Sequence, residues 1–332
     1  MNRRELLTAA LAAGAGVCFG TGRPSRTCYA ATGTPLALNQ DSPLALSDDV
    51  LAMLKSQAKP TRLGIGLQRP REEARRFDTV TPCNALKYRP VQRNGWGPAD
   101  AIADMGLPLR VHTVLWATLQ GAMPVRELEP FIREIARRYG EQIYAWDIVN
   151  EPIHIPRHLH LVPDLIKLAR DLTPDADIII NEFDVIRSLP GYANACCLAE
   201  VIAFAVKVGA DGVGVQAHGN RWYSRAELTQ TFNEIEAAGL ICHVTEAIYK
   251  SDGSRVAHGH SEVPGNYGMW TERNQALAYR DLVAVARAHP AVTSCTLWTL
   301  HDTEAWAARP NGGLIGMDGQ PKEAWQTIFK EI

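Results

Sequence analysis

Short apolar runs alternate with longer amphipathic stretches over most of the chain, from about residue 61 to the C-terminus. Eight of these runs have the length and composition of β-strands. They are Leu63 to Leu67, Asp78 to Thr81, Leu109 to Leu115, Ile143 to Val149, Ile178 to Ile180, Gly212 to Val215, Ile241 to Val244 and Val292 to Leu297. Strands that alternate with helices predict a parallel sheet covered by helices. Eight repeats predict closure into a single (β/α)8 TIM barrel.

Helical periodicity fills most of the intervals between these runs. The clearest helix is predicted over Val125 to Tyr139 and ends at Gly140. Its apolar stripe contains Leu128, Phe131, Ile132 and Ile135. Two more helices are predicted, from about Tyr192 to Val208 and from an N-cap at Thr271 to a point before Pro290. The connection from Gln68 to Phe77 has room for only one turn.

The first 31 residues have a different pattern. Arg3 and Arg4 precede an uncharged apolar stretch from Leu7 to Gly20, and small residues follow at Ala30 and Ala31. This layout predicts an export signal, and the paired arginines suggest the twin-arginine type. An ordinary N-terminal helix is the alternative. We therefore expect a secreted or periplasmic protein with a signal at 1–31, a leader at 32–60 and a catalytic barrel at 61–332.

Charge and cysteine content exclude several classes of partner. The 332-residue chain has a formal net charge of -2, with acidic and basic residues mixed throughout. The sequence has no basic stripe of the kind that indicates nucleic-acid binding. Beyond the signal, no apolar run is long enough to span a membrane. The seven cysteines show no metal-site spacing. Cys242 and Cys295 are predicted as buried thiols, although a bond between them is an alternative in an oxidising compartment.

Chemistry in a barrel of this type sits at the carboxyl ends of the strands. Polar and aromatic residues stand at nearly every such end. They are Asn84 and Lys87 after the second strand, His112 and Trp116 with the third, Asn150 and Glu151 after the fourth, Asn181 and Glu182 on the fifth, Gln216 and His218 after the sixth, Glu246 after the seventh, and Trp298 and Trp306 after the eighth. Together they predict one binding mouth.

Glu151 and Glu246 would face each other across that mouth. Cleavage of a glycosidic bond needs two such carboxyl groups, one to protonate the departing oxygen and one to attack. We expect Glu151 to be the acid/base, protonated at rest, and Glu246 to be the ionised nucleophile. Asn150 suits a hydrogen bond to the sugar 2-hydroxyl, and tryptophan faces suit pyranose rings. No metal or organic cofactor is needed, and we expect a monomer that binds a polysaccharide or oligosaccharide.

These segments resemble glycoside hydrolase family 10, the xylanase family, from about Leu63 to the C-terminus. The matching segments are Trp146 to Glu151, Val244 to Glu246, Val213 to His218, His112 to Trp116, and Thr296 to Trp298 with Trp306. The resemblance implies a retaining, endo-1,4-β-xylanase-like hydrolase that works through a covalent glycosyl-enzyme. It also implies that His218 and Gln216 support the nucleophile. Asn84, Lys87, His112, Trp116, Trp298 and Trp306 would then contact sugar.

The chain departs from the family pattern at several positions. The family's Glu-Asn-Glu-Met-Lys-Trp is replaced by a segment that begins with Cys83, and the histidine usual after the strand-three tryptophan is Ala117. The family's Thr-Glu-Leu-Asp continues here with Ala247 and Ile248 after the glutamate. None of these changes removes a carboxyl group predicted to react, but they predict an altered binding cleft.

Other interpretations of the same residues stay open. Glu182 and Asp184 could compete as catalytic acids, although a supporting hydrogen-bond role is preferred for Glu182. His258 and His260 could form a metal pair, although a substrate loop is preferred. The alternative functions are a hydrolase or transglycosylase of another β-glycan, such as a bacterial exopolysaccharide or glucan, and a non-catalytic glycan-binding protein.

Overall fold

The computed structural model describes residues 60–116, 123–186, 197–219, 223–253, 269–304 and 311–330. The strands are β1 (Arg62–Leu67), β2 (Thr79–Pro82), β3 (Leu109–Leu115), β4 (Ile143–Asn150), β5 (Asp177–Glu182), β6 (Gly212–Val215), β7 (His218–Gly219), β8 (Ile241–Tyr249) and β9 (Val292–Leu297). All pairings are parallel. Strands β1 to β6, β8 and β9 close into a barrel through the β1–β9 and β6–β8 pairs, which confirms the predicted fold. Strand β7 only extends the upper end of β8.

The helices cover the outside of this barrel. They are α1 (Tyr88–Asn94), α2 (Gly97–Ala103), α3 (Val125–Tyr139), α4 (Val162–Leu172), α5 (Leu198–Val208), α6 (Arg225–Ala237), α7 (Glu272–Ala288) and α8 (Glu323–Lys330). The bounds of α3 agree with the prediction, and Thr271 caps α7 as expected. The short first connection holds one 3-10 turn, Glu72–Arg76. Residues 192–196 of the helix predicted from about Tyr192 to Val208 lie outside the described ranges.

Apolar burial explains the order of the layers. Every residue of β3, β4, β8 and β9 is buried, because one strand face packs on helices and the other fills the barrel. The predicted stripe of α3 is buried against this core. Cys242 and Cys295 are buried free thiols. The lumen is not wholly apolar, since Arg110, Asp147 and His243 are all fully buried there.

Several predictions fall on residues outside the described ranges. These are the export signal, nearly all of the leader, Trp306, Ala117, and the pair His258 and His260. Among the helices that the structure describes, none has the length and apolarity needed to cross a bilayer.

Candidate active site

One cavity of about 550 Å³ opens at the carboxyl ends of the strands. All ten predicted site residues that the structure describes line it: Asn84, Lys87, His112, Trp116, Asn150, Glu151, Gln216, His218, Glu246 and Trp298. They come from β3, β4, β7, β8 and the segments that follow the strands. Residues far apart in the chain therefore meet because a parallel barrel brings its strand ends to one face.

The backbone turns sharply where three neighbouring strands reach the cavity. Glu151, Asp184 and Ala217 have φ values of 56°, 54° and 53°, in the left-handed region that non-glycine residues seldom occupy. Each follows one of the strands β4, β5 and β6. The turn at Glu151 is held by its own N–H, which donates to Asn181 O at 2.7 Å. Strained backbone is therefore concentrated at the mouth, as is common where side chains must be aimed at a ligand.

A chain of amide side chains connects the two predicted reacting carboxyl groups. Asn181 Nδ2 donates to Glu246 Oε1 and to Asn150 Oδ1, both at 2.7 Å. Gln216 Nε2 lies 3.4 Å from Asn150 Oδ1 and 3.3 Å from Glu151 Oε1. Both carboxyl groups thus receive a neutral N–H donor from one network, which fixes where their oxygens point.

Asn181 fits into this network because its neighbour on β6 has no side chain. An ideal Cβ on Gly214 would lie only 2.5 Å from Asn181 Oδ1. Thr245 Oγ1 donates to the same Oδ1 at 2.7 Å, so the amide orientation of Asn181 is determined on both sides. The glycine in the Val213 to Val215 segment therefore leaves the space that the amide donating to Glu246 occupies.

The position of Gln216 differs from the expectation that it supports Glu246. Its amide donates to Glu151 and Asn150 instead, and Asn181 supplies the amide next to Glu246. The register explains this, since Asn150 pairs with Asn181 on adjacent strands and their side chains are hydrogen-bonded to each other. Sequence reasoning noted Asn181 as a strand-end residue but not as a site residue. The signal in the sequence is its position at the end of the predicted fifth strand.

Glu246 lies among cationic and potentially cationic groups. It is 5% exposed. His218 Nε2 is 3.3 Å from its Oε2, and His112 Nδ1 is 3.9 Å from its Oε1. Burial raises the pKa of Glu246, but His112, His218 and the ammonium of Lys87 together outweigh burial and bring it to about 2. The carboxyl group is therefore ionised at neutral pH, as a nucleophile requires.

Glu151 has a different environment. Trp116 Nε1 donates to its Oε2 at 2.8 Å, and Gln216 donates to its other oxygen. Both donors are neutral. Lys87 packs over the Trp116 ring with its Nζ 4.6 Å from the ring centre, and donates to Asn84 Oδ1 at 3.1 Å. The two carboxyl groups therefore share one cavity but differ in the charge of their neighbours.

Cys83 and Trp298 form the wall on the side of β2 and β9. Cys83 and Trp298 pack with Ile248 in a small buried cluster, and Cys83 Sγ is 3.8 Å from Trp298 O. Burial raises the pKa of the Cys83 thiol above its ordinary value, so this wall is neutral. Trp298 also packs edge-on against His112, with ring centres 5.0 Å apart. Of the predicted tryptophan pair, Trp298 alone is within the described residues.

Glu182 does not line the cavity and instead holds the loop after β4. Its Oε2 accepts from Ile153 N, and its Oε1 accepts from Phe183 N and His154 Nδ1, each at 2.9 Å. Ligand atoms of His154, Glu182 and Cys197 lie within 4.8 Å of one another, so these residues could in principle hold a metal. The hydrogen bonds of Glu182, with the contact from Cys197 Sγ to Phe183 O, account for the cluster without an ion.

Comparison with known proteins places these features in a wider group. The profile of the family described as Glycosyl hydrolase family 10 matches residues 54–331. "Endo-1,4-beta-xylanase A" of Caldicellulosiruptor saccharolyticus is 25% identical over 302 residues, covering 76% of this chain and 86% of that protein. "Beta-1,4-xylanase" of Dictyoglomus thermophilum is 24% identical over 296 residues, covering 76% of this chain and 82% of that protein.

Solved structures show the same fold. Native xylanase 10B of Thermotoga maritima superposes with a TM-score of 0.63 at 18% identity, covering 86% of this chain and 97% of that one. Xylanase 10B of Thermotoga petrophila in complex with xylobiose gives a TM-score of 0.61 at 18% identity, covering 83% and 95%. At such identities the likeness concerns the barrel, not the details of the cleft.

Proposed function

Because the chain belongs to glycosyl hydrolase family 10 and is a retaining, endo-xylanase-like glycoside hydrolase, we propose that it cleaves a β-1,4-xylan with Glu246 as nucleophile and Glu151 as acid/base. The observation that carries the assignment is the pair of carboxyl groups on one cavity with contrasting neighbours. Glu246 is surrounded by His112, His218 and Lys87, whereas Glu151 receives neutral N–H donors.

In the first step Glu246 attacks the anomeric carbon while Glu151 gives its proton to the departing oxygen. The carbon–oxygen bond to the leaving sugar breaks as the bond to Glu246 forms, which leaves a glycosyl ester on the enzyme. In the second step Glu151, now ionised, takes a proton from water, and the hydroxide oxygen displaces Glu246. Two inversions at the same carbon return the original β configuration.

The remaining cavity residues suit a neutral, hydroxylated substrate. Asn150 Oδ1 already accepts from two amides, which leaves the Asn150 amide nitrogen for the hydroxyl next to the anomeric carbon. Asn84 and Lys87 offer further polar contacts from the β2 side. Trp116 and Trp298 supply ring faces for the apolar surfaces of sugars. Xylan as the particular glycan is supported by the names of the relatives.

We also propose that the protein works outside the cytoplasm, because residues 1–31 have the layout of an export signal and a polysaccharide must be met where it occurs. The signal should direct a fused reporter to the periplasm. Replacing Arg3 and Arg4 by lysine should block this export if the twin-arginine route is used.

The proposed activity is tested with the purified chain on xylan, mixed-linkage β-glucan and a bacterial exopolysaccharide. We expect reducing ends to appear from xylan, and proton NMR taken within minutes to show the β-anomer first. Glu246→Gln should abolish release, whereas Glu129→Gln, at an exposed position of α3, should not change it. Release from glucan or exopolysaccharide alone would replace xylan as substrate. Tight binding with no release from any glycan would support a non-catalytic glycan-binding protein.

A further inference from the structure

A line of charged and polar side chains runs through the barrel beneath the cavity. Arg110 NH1 donates to Asp147 Oδ1 at 2.6 Å, and Arg110 NH2 contacts His243 Nδ1. His243 Nε2 lies 3.3 Å from Asp177 Oδ2 near the opposite end of the barrel, a charge contact that lacks hydrogen-bond geometry. Arg110, Asp147 and His243 are fully buried. Burying such groups is costly unless each is paired, so this arrangement constrains the lumen strongly.

The chemistry of the guanidinium fixes the state of His243. Arginine can only donate, so His243 Nδ1 must accept with its lone pair and the ring proton must lie on Nε2, toward Asp177. Burial, with the positive charge of Arg110, lowers the pKa of His243, which keeps the ring neutral. Arg110 Nε has no acceptor among the described residues. The guanidinium also packs over the Tyr144 ring, with its carbon 5.7 Å from the ring centre, so Asp147 and His243 supply its hydrogen-bonding contacts.

The same line reaches Glu246 at its upper end. Asp147 Oδ2 is 3.0 Å from His112 Nδ1, and that nitrogen is 3.9 Å from Glu246 Oε1. His112 is the foremost of the groups that favour the ionised form of Glu246. A group that moves Asp147 therefore moves the imidazole that contributes most to keeping Glu246 ionised.

We propose that His243, which lies beside Asp177, is a positioning residue for Glu246, acting through Arg110, Asp147 and His112. This inference rests on the proposed function, because it assigns His243 the task of holding the proposed nucleophile. His243 itself does not line the cavity. His243 acts by accepting from Arg110, which holds Asp147 and then His112 in place. Loss of that acceptor leaves a buried N–H unpaired and lets the whole line shift.

Other ionisable groups near both ends must be kept unchanged in the test. Glu246 also faces His218 at the β7 strand, and Lys87 and Cys83 on the segment after β2. His243 is packed against Tyr144 on β4, with ring centres 6.2 Å apart. The remaining neighbours on β6 and β9, Gly214 and Ser294, do not titrate.

Two substitutions distinguish the role of His243 as a hydrogen-bond acceptor from the presence of its imidazole ring. His243→Leu removes the acceptor, whereas His243→Asn places an amide oxygen near the Nδ1 position. In His243→Leu we expect the acid limb of kcat/KM to move up by about one pH unit, a roughly tenfold loss at low pH, with little change at pH 7. His243→Asn should return the acid limb of kcat/KM to its position in the unmodified protein. Asp177→Asn should move it in the same direction by less.

A second readout keeps the inference separate from the activity. The Glu246 carboxyl carbon can be titrated by 13C NMR, with Glu246→Gln identifying its signal and circular dichroism confirming folding. We expect its midpoint to rise in His243→Leu and to return in His243→Asn. An unchanged midpoint and acid limb in folded His243→Leu would overturn the inference even if xylan is cleaved. A shifted midpoint with no glycan cleaved would overturn the proposed function and leave the coupling intact. If His243→Leu does not fold, Asp177→Asn decides by the same midpoint.

Discussion

The Glu246 side and the Glu151 side of the cavity contain the same functional group in different electrostatic settings. Glu246 is 5% exposed, and the strands around it bring two histidines and the ammonium of Lys87 within range. Glu151 stands on a left-handed turn and receives hydrogen bonds from an indole and an amide. The comparison teaches that neighbouring elements of the barrel, not the carboxyl groups themselves, divide the roles of attack and proton transfer.

The largest effect is expected from Glu246→Ala, because the substitution removes the carboxyl group proposed to form the glycosyl ester. We expect kcat to fall by about 10⁴-fold or more. Added azide should enter the vacated space and attack an aryl β-xyloside directly. The product would then be the α-glycosyl azide, with inverted configuration, which NMR can identify. Rescue with retained configuration would show that another residue is the nucleophile.

Glu151→Ala should give a loss that depends on the leaving group. We expect roughly 10³-fold on xylan, because a sugar oxygen must be protonated as it departs. On an aryl xyloside with a strongly acidic phenol the first step needs little protonation, so the glycosyl-enzyme should accumulate as a burst of phenol. Azide should then yield the β-glycosyl azide. Equal losses on both substrates would contradict the acid/base role and remove the contrast between the two sides.

The contrast could be predicted only in outline from the sequence. Eight apolar runs and the polar residues at their ends predicted the barrel and the cavity. Apolar periodicity and the alternation of strands with helices can both be recognised in short stretches of the sequence. The partner of each carboxyl group could not be predicted, because it depends on register. Asn181 lies beside Asn150 and donates to Glu246 only because the β4–β5 register shifts by one residue between Asp147 and Val149 and because Gly214 leaves room. The local sequence does not distinguish Arg110, Asp147 and His243 from other strand residues. They come into contact only in the closed barrel.

A smaller loss is expected from Asn181→Ala, which removes the neutral donor on the Glu246 side while leaving every charge in place. We expect kcat to fall by roughly 10²-fold with a modest change in KM, because one preorganised donor is lost and Asn150 is released. Asn84→Ala is the matched amide on the β2 side and should act mainly on KM. A loss confined to KM in Asn181→Ala would mean that this amide binds sugar instead of fixing the nucleophile.

The smallest effect, and the one most specific to the comparison, is expected at His218. The active form of Glu246 is ionised, and His218 helps hold the pKa of Glu246 near 2, below the ordinary carboxyl value of 4.5. Activity is therefore lost only as the pH falls through that low pKa. In His218→Phe the pKa should rise toward 4.5, so the acid limb of kcat/KM moves up while activity at pH 7 changes little. At pH 4 a pKa of 4.5 would leave about a quarter of Glu246 ionised, so the loss should be at most about fourfold. His218→Gln keeps a hydrogen-bond donor without the imidazole and should shift the limb by less. An equal loss at every pH would show that His218 only shapes the cavity, and the two sides would then differ less in charge than the geometry indicates.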